Sequence, residues 1–123
     1  MDSPIGMEKR SILDNSIIAT SMESTMYHPS SARLHLNIGG GGWCAWKGVY
    51  DVPQYLQVNF DVPKALVAVA TQGVESRQSW VSEYYLSTAV ATERKTWVFV
   101  HDYTGKKVRA FFSAFKLTKS NFI

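Results

Sequence analysis

A single cysteine, Cys44, in 123 residues rules out an intrachain disulfide, so the chain must be held by burial and hydrogen bonding alone. Long apolar runs are missing too, and none approaches the ~20 residues that a membrane-spanning helix requires. The opening Met1-Asp2-Ser3-Pro4 has neither the basic stretch nor the apolar stretch of a signal peptide. Two readings follow, an intracellular protein or a fragment that begins at a domain edge. Histidine is sparse: His28, His35 and His101 lie far apart and in no metal-ligand spacing. There is no Gly-x-Ser-x-Gly elbow, and no carboxylate pair has a spacing that points to glycoside hydrolysis. The run Gly39-Gly40-Gly41-Gly42 lacks the Lys-Ser/Thr of a phosphate loop and leads into Trp43-Cys44 rather than a helix, so it reads as a flexible loop. Nothing beside Cys44 in sequence would activate its thiol; it reads either as a small buried hydrophobe or as a thiol parted from its partner. These absences exclude the common catalytic and metal constellations, and neither enzyme activity nor a cofactor is expected.

What the chain does contain is ordinary globular material. Apolar residues make up 46% and charged residues 19%, enough for one domain with a real core. The net charge of +3 is unevenly spread. Residues 1–93 carry six Lys/Arg against nine Asp/Glu, and residues 94–123 carry seven against Asp102 alone. A basic end can attract an anionic surface, or its charges can simply be solvated. Strand periodicity dominates. Leu56, Val58 and Phe60 alternate with Gln57 and Asn59, the pattern of a half-buried strand. Pro63-Lys64 reads as a turn before the apolar run 66–70, which fits a strand covered on both sides. Residues 80–88 alternate around Tyr84 and Leu86, and residues 96–101 are β-branched and aromatic. Tyr103-Thr104-Gly105-Lys106 reads as a hairpin turn. Short strands separated by Gly, Pro, Asn and Ser predict an antiparallel sandwich or barrel. The end of the chain fits two periods: Val108, Phe111, Phe112 and Phe115 suit a helix, while Phe111, Ser113, Phe115 and Leu117 suit a strand.

Several short blocks occur in a fixed order: Pro4-Ile5-Gly6-Met7-Glu8, Ile18-Ala19-Thr20-Ser21, Ser31-Ala32-Arg33-Leu34, Gly42-Trp43-Cys44, Tyr55-Leu56-Gln57-Val58-Asn59-Phe60 and Ala70-Thr71-Gln72-Gly73. In this order and spacing they resemble the discoidin, or coagulation factor V/VIII type C, domain family. The resemblance runs from about residue 4 to about residue 108 and then fades. It implies a non-catalytic, all-β, antiparallel β-sandwich of jelly-roll-like form, lacking its last strands, with a discoidin-like domain at 1–108 and a divergent basic and aromatic tail at 109–123. Family members often join their two ends through a cysteine pair, for which this chain has no residues. An antiparallel sandwich without its closing strands exposes an edge and part of its core, unless the tail substitutes or a partner covers the gap.

The resemblance also implies an extracellular adhesion module that recognises cell-surface ligands through loops at one end of the sandwich. In membrane-binding members, apolar loop tips enter the bilayer while polar and basic groups meet anionic headgroups. Here residues 22–30 form the first loop, with Met26, Tyr27 and His28 as candidate ligand contacts. Trp46 and Lys47 follow Trp43-Cys44 in the second loop, and Arg77 and Gln78 belong to the third. Met26-Tyr27 pairs a flexible apolar chain with an aromatic suited to a membrane interface. The polar third loop instead suits a glycan or protein ligand. Each side chain has a competing structural role, such as packing back onto the sandwich end. Arg33, Trp43 and Gln72 read as scaffold, with Arg33 paired to an acidic group. Expected partners are an anionic phospholipid, a glycan or a protein, with peripheral membrane contact and without nucleic acid. The alternatives are a protein-binding domain of a larger secreted or membrane protein, or a truncated product without independent function.

Overall fold

A computed structural model of the chain describes residues 6–48, 52–66, 69–81, 84–90, 97–100 and 111–119, the last stretch through its backbone. Five strands form one antiparallel sheet: β1 (Ile17–Ala19), β2 (Tyr55–Ala65), β3 (Tyr84–Ala89), β4 (Val98–Phe99) and β5 (Phe111–Lys119). Their order is β1-β2-β5-β3-β4, so the described strand latest in sequence sits in the middle. On one side Leu56 pairs with Leu117 and Val58 with Phe115; on the other, Leu117 pairs with Leu86 and Phe115 with Thr88. Of the two periods open to the tail, the strand is adopted. Paired on both flanks, it satisfies its N–H and C=O groups across the ladder. Segment 109–123, set apart on sequence grounds, thus supplies the sheet's central strand.

The other strands follow the sequence pattern with shifted limits. β2 does not turn at Pro63-Lys64 but continues to Ala65. Register jumps between Asn59↔Ala114 and Lys64↔Phe112, with residues 60–63 on β2 facing only Ser113 on β5. A bulge is where a sheet tolerates Pro63, which has no N–H to give to the ladder. β3 starts at Tyr84 rather than Trp80. The described residues of the apolar run 66–70, Leu66, Val69 and Ala70, lie outside any strand. The predicted turn at 103–106 falls outside the described residues.

The core gathers where β1 and β2 meet the segment before β1. Ile12, Ile17, Leu56 and Val58 are buried, and Trp43, Phe60 and Leu86 pack against them. Arg33 lies within this layer at 2% exposure. Its Nη1 donates to the carbonyl of Met7 at 2.7 Å, and its Nη2 donates to the carbonyl of Ile12 at 2.7 Å and to Asp14 Oδ1 at 2.6 Å. The acidic partner expected for Arg33 is therefore Asp14. Two main-chain carbonyls are satisfied by the same guanidinium, which joins the entry segment to the strand layer. Trp43, also expected to be scaffold, donates its indole N–H to the Ser21 carbonyl at 2.8 Å.

Two substitutions test this account. Lys116→Pro, placed where β5 pairs with both Gln57 and Ser87, removes a ladder donor from a central strand and should cost at least about 1–3 kcal/mol for the acceptor left unpaired, read as a lower or lost cooperative melt. Arg33→Met leaves the buried Ile12 carbonyl and the part-buried Met7 carbonyl without this donor and should lower unfolding free energy by about 3 kcal/mol in urea titration. Asp14→Asn should be far milder, since that side chain is 65% exposed.

Candidate functional site

Three loops meet at one end of the molecule, joined to a fourth segment, the glycine turn. Loop 1 (residues 22–30) follows β1 and contains a short 3-10 turn, Thr25–Tyr27. Loop 2 (residues 43–48) is anchored at Ser21, whose hydroxyl accepts from the Trp46 amide at 3.0 Å and donates to Gln54 Oε1 at 2.5 Å. Loop 3 (residues 73–80) carries the 3-10 turn Glu75–Arg77. It is closed by Val74 and Ser79, whose amides each donate to the other's carbonyl at 2.7 and 3.2 Å. Gln78 takes a left-handed conformation with φ 48°, reversing the chain in a narrow turn.

Arg77 binds these loops together. Its Nη1 donates to Glu23 Oε2 at 2.5 Å and its Nη2 to Glu23 Oε1 at 3.4 Å. The guanidinium also lies over the Tyr27 ring, 4.9 Å from its centroid, a cation–π contact. Nη1 further reaches Cys44 Sγ at 3.8 Å. Main-chain bonds reinforce the junction: the Glu23 amide donates to the Cys44 carbonyl at 2.8 Å and the Gly40 amide to the Met26 carbonyl at 2.7 Å. Ser76 Oγ donates to the Gly40 carbonyl at 3.3 Å. Gly40 is required by space, because a Cβ there would come within 2.2 Å of the Tyr27 ring. The glycine run is thus a shaped bed for Tyr27.

Electrostatics follow the geometry. The hydrogen bond from Arg77 is the main reason the Glu23 carboxyl is held below its ordinary pKa; the charges of Arg77 and Lys47 add to the effect against some desolvation. The same bond, accepted by Glu23, is the largest cause of the upward shift at Arg77. Asp14 is also lowered, first by its hydrogen bond with Arg33.

The candidate contacts divide into two groups. Met26 is 56% and Trp46 52% exposed, and His28, Lys47 and Gln78 are also exposed. Tyr27 and Arg77 are half-buried and face each other inside the junction. His28 Nδ1 accepts from the Ser30 amide at 3.2 Å, so this ring caps the 3-10 turn Pro29–Ala32. Glu23, Gly40 and Cys44 also take part in the junction; the glycine run read as a flexible loop and Cys44 as a buried hydrophobe or a parted thiol, and neither reading placed them here.

The surface also holds a cavity of about 570 Å³ bordered by Trp43, Leu56, Val58, Leu66, Val74 and Trp80. Its walls include the core residues Leu56 and Val58, and its one arginine, Arg33, is committed to Asp14 and two carbonyls. Among the described residues no group of three or more His, Cys, Asp or Glu could hold a metal ion.

Residues 16–120 match the F5/8 type C domain family. The chain belongs to that family. Human coagulation factor VIII is 37% identical over 92 residues, covering 70% of this chain and 4% of that protein. Chicken neuropilin-1 is 31% identical over 98 residues, 77% of this chain and 10% of its own length. The Caenorhabditis elegans discoidin domain-containing receptor tyrosine kinase B is 36% identical over 73 residues, 56% of this chain and 9% of that protein. The chain thus spans a small fraction of each of these relatives. Among solved structures, chitosan-binding module 1 of a Paenibacillus chitosanase/glucanase superposes with a TM-score of 0.55 at 17% identity, covering 89% of this chain and 84% of that one. That likeness supports the all-β discoidin fold. The family match extends into β5, past the point where block-by-block resemblance fades.

The lowered carboxyl of this discoidin domain's loop junction sets an acid response. Glu23 binds its proton more weakly in the folded state than in the unfolded chain. Its stabilising effect is therefore complete above the ordinary carboxylate pKa and is lost as pH falls through the lowered folded value. Melting temperature against pH should fall less steeply in this acid window for Glu23→Gln than for the wild type, with the two curves differing most near neutrality.

Proposed function

We propose that this domain is a non-catalytic extracellular recognition module whose loop end binds a cell-surface ligand, with an anionic phospholipid surface as the favoured target and a glycan as the competing one. The observation that carries the reading is the exposure of Met26 and Trp46 on loops joined by the Glu23–Cys44 main-chain bond, with Lys47 beside Trp46. Large apolar side chains held in water on a cross-linked frame suit insertion into a soft apolar boundary, and an adjacent lysine suits its anionic headgroups. Loop 3 contributes Ser76, Arg77 and Gln78, so contact stays at the interfacial depth rather than reaching the hydrocarbon. Ligand classes in the F5/8 type C family that involve cell surfaces support the same assignment.

A protein-binding role within a larger receptor or matrix protein is the second reading, favoured by an exposed Trp46 and by a polar loop 3. Aromatic residues ringed by polar groups are common anchors at protein interfaces.

Flotation with phosphatidylserine/phosphatidylcholine vesicles, phosphatidylcholine vesicles and a glycan array in parallel distinguishes these readings. Met26→Ala and Trp46→Ala should each weaken phosphatidylserine-dependent binding about tenfold, the effect of losing one buried apolar side chain, with unchanged melting temperature. Binding to the array alone would move the assignment to a glycan. Saturable capture by matrix proteins without vesicle or glycan binding would favour the second reading.

A further inference from the structure

Among the described residues, two arginines with ion-pair partners, Arg33 and Arg77, are built differently. Arg33 has a side chain only 1% exposed, and it is bound by two main-chain carbonyls besides Asp14. Arg77 and Glu23 keep 28% and 30% of their side-chain surface open. The described contacts of the Arg77 guanidinium are all with side chains of other loops: the Glu23 carboxylate, the Tyr27 ring and the Cys44 sulfur. The first arrangement is closed; the second faces water on one side.

Its geometry separates two tasks. The Tyr27 ring lies against the guanidinium carbon at 4.9 Å, while Glu23 takes hydrogen bonds from Nη1 and Nη2. A carboxylate on that edge has the shape and charge of an anionic group from a ligand, since both are recognised by the same paired N–H donors. The edge can therefore exchange one anion for another while the Tyr27 contact keeps the guanidinium in place. Lys47, on loop 2, lies within electrostatic reach of Glu23 and offers the displaced carboxylate a second cation.

We infer that Glu23 is a resident stand-in for an anionic ligand group, a phosphate or carboxylate, and that ligand engagement at the loop end proceeds by exchange of Glu23 for that group on the Arg77 edge. This inference rests on the loop-end reading above and adds to it a specificity-setting residue. Glu23 imposes a threshold: a neutral or weakly anionic surface does not displace it, while a dense anionic surface does. Arg77 thereby serves both as the cross-link of the unliganded loops and as the anion receptor of the liganded ones.

The test compares wild type with Glu23→Gln and Arg77→Gln. The probes are phosphatidylserine/phosphatidylcholine vesicles, phosphatidylcholine vesicles and soluble phosphoserine. Glu23→Gln frees one cation and should bind the anionic vesicles about fivefold more tightly, with a steeper loss of binding as salt rises. Arg77→Gln should bind them more weakly than wild type. A gain with phosphoserine as well as vesicles assigns the exchange to the headgroup itself; a gain with vesicles alone assigns it to the charged surface. A role confined to holding the loops predicts the opposite sign, with Glu23→Gln binding no better than wild type, and that result overturns the exchange. Wild type and Glu23→Gln both failing on every probe would instead overturn the loop-end reading on which it rests. If Glu23→Gln does not fold, the wild-type Arg77 guanidinium NMR signal answers the same question. Its shift on adding phosphoserine, together with a rise in the Glu23 carboxyl pKa, supports exchange; an unmoved pair rejects it.

Discussion

The whole sheet depends on one strand finding its place between two others. β1 pairs with β2, and β3 pairs with β4, but among the described strands these two ribbons are hydrogen-bonded into one sheet only through β5. A two-stranded ribbon is marginal in water, and the single cysteine provides no disulfide to help it. The order of the sheet therefore makes β5 the element that converts two weak pairs into one cooperative unit. Everything at the loop end is built on that unit, because loop 1 leaves from β1 and loop 2 is anchored near the start of β2 through Ser21 and Gln54.

Much of the fold could be read from the residues. Alternation at Leu56, Val58 and Phe60 marked β2, and the Ser31-Ala32-Arg33-Leu34 block pointed to a structural arginine, which the pairing with Asp14 bears out. The tail could not be read in the same way. Phe111, Phe112, Phe115 and Leu117 satisfy helical and strand spacing together, and only pairing with β2 and β3 decides between them. Pro63 was misleading for a related reason. Its local chemistry signals a break in the ladder, and the ladder is indeed interrupted there, but as a bulge within one strand rather than a turn between two.

The loop end shows a different limit. The sequence marks Tyr27 and Arg77 as residues of interest and leaves open whether each meets a ligand or packs against the fold, but it does not show that they meet each other. The residues that complete the junction are remote in the chain: Arg77 and Glu23 are separated by 54 positions. Nothing local marks an isolated glutamate in loop 1 as the partner of an arginine in loop 3. Nor does a glycine run announce that one of its members is there to leave room for an aromatic ring. Such roles arise from juxtaposition, and the exposed Met26 and Trp46 become meaningful only once the frame beneath them is known.

The bulge in β2 acts as a ruler for the strand laid beside it. With residues 60–63 facing only Ser113, the wide part of β2 has one matching place on β5. Sliding β5 by a residue in either direction would set a bonded position against the widened segment, and would also exchange the two faces of the strand. The strand at the centre of the sheet is thus held to a single register by the irregularity of its neighbour as well as by its own residues.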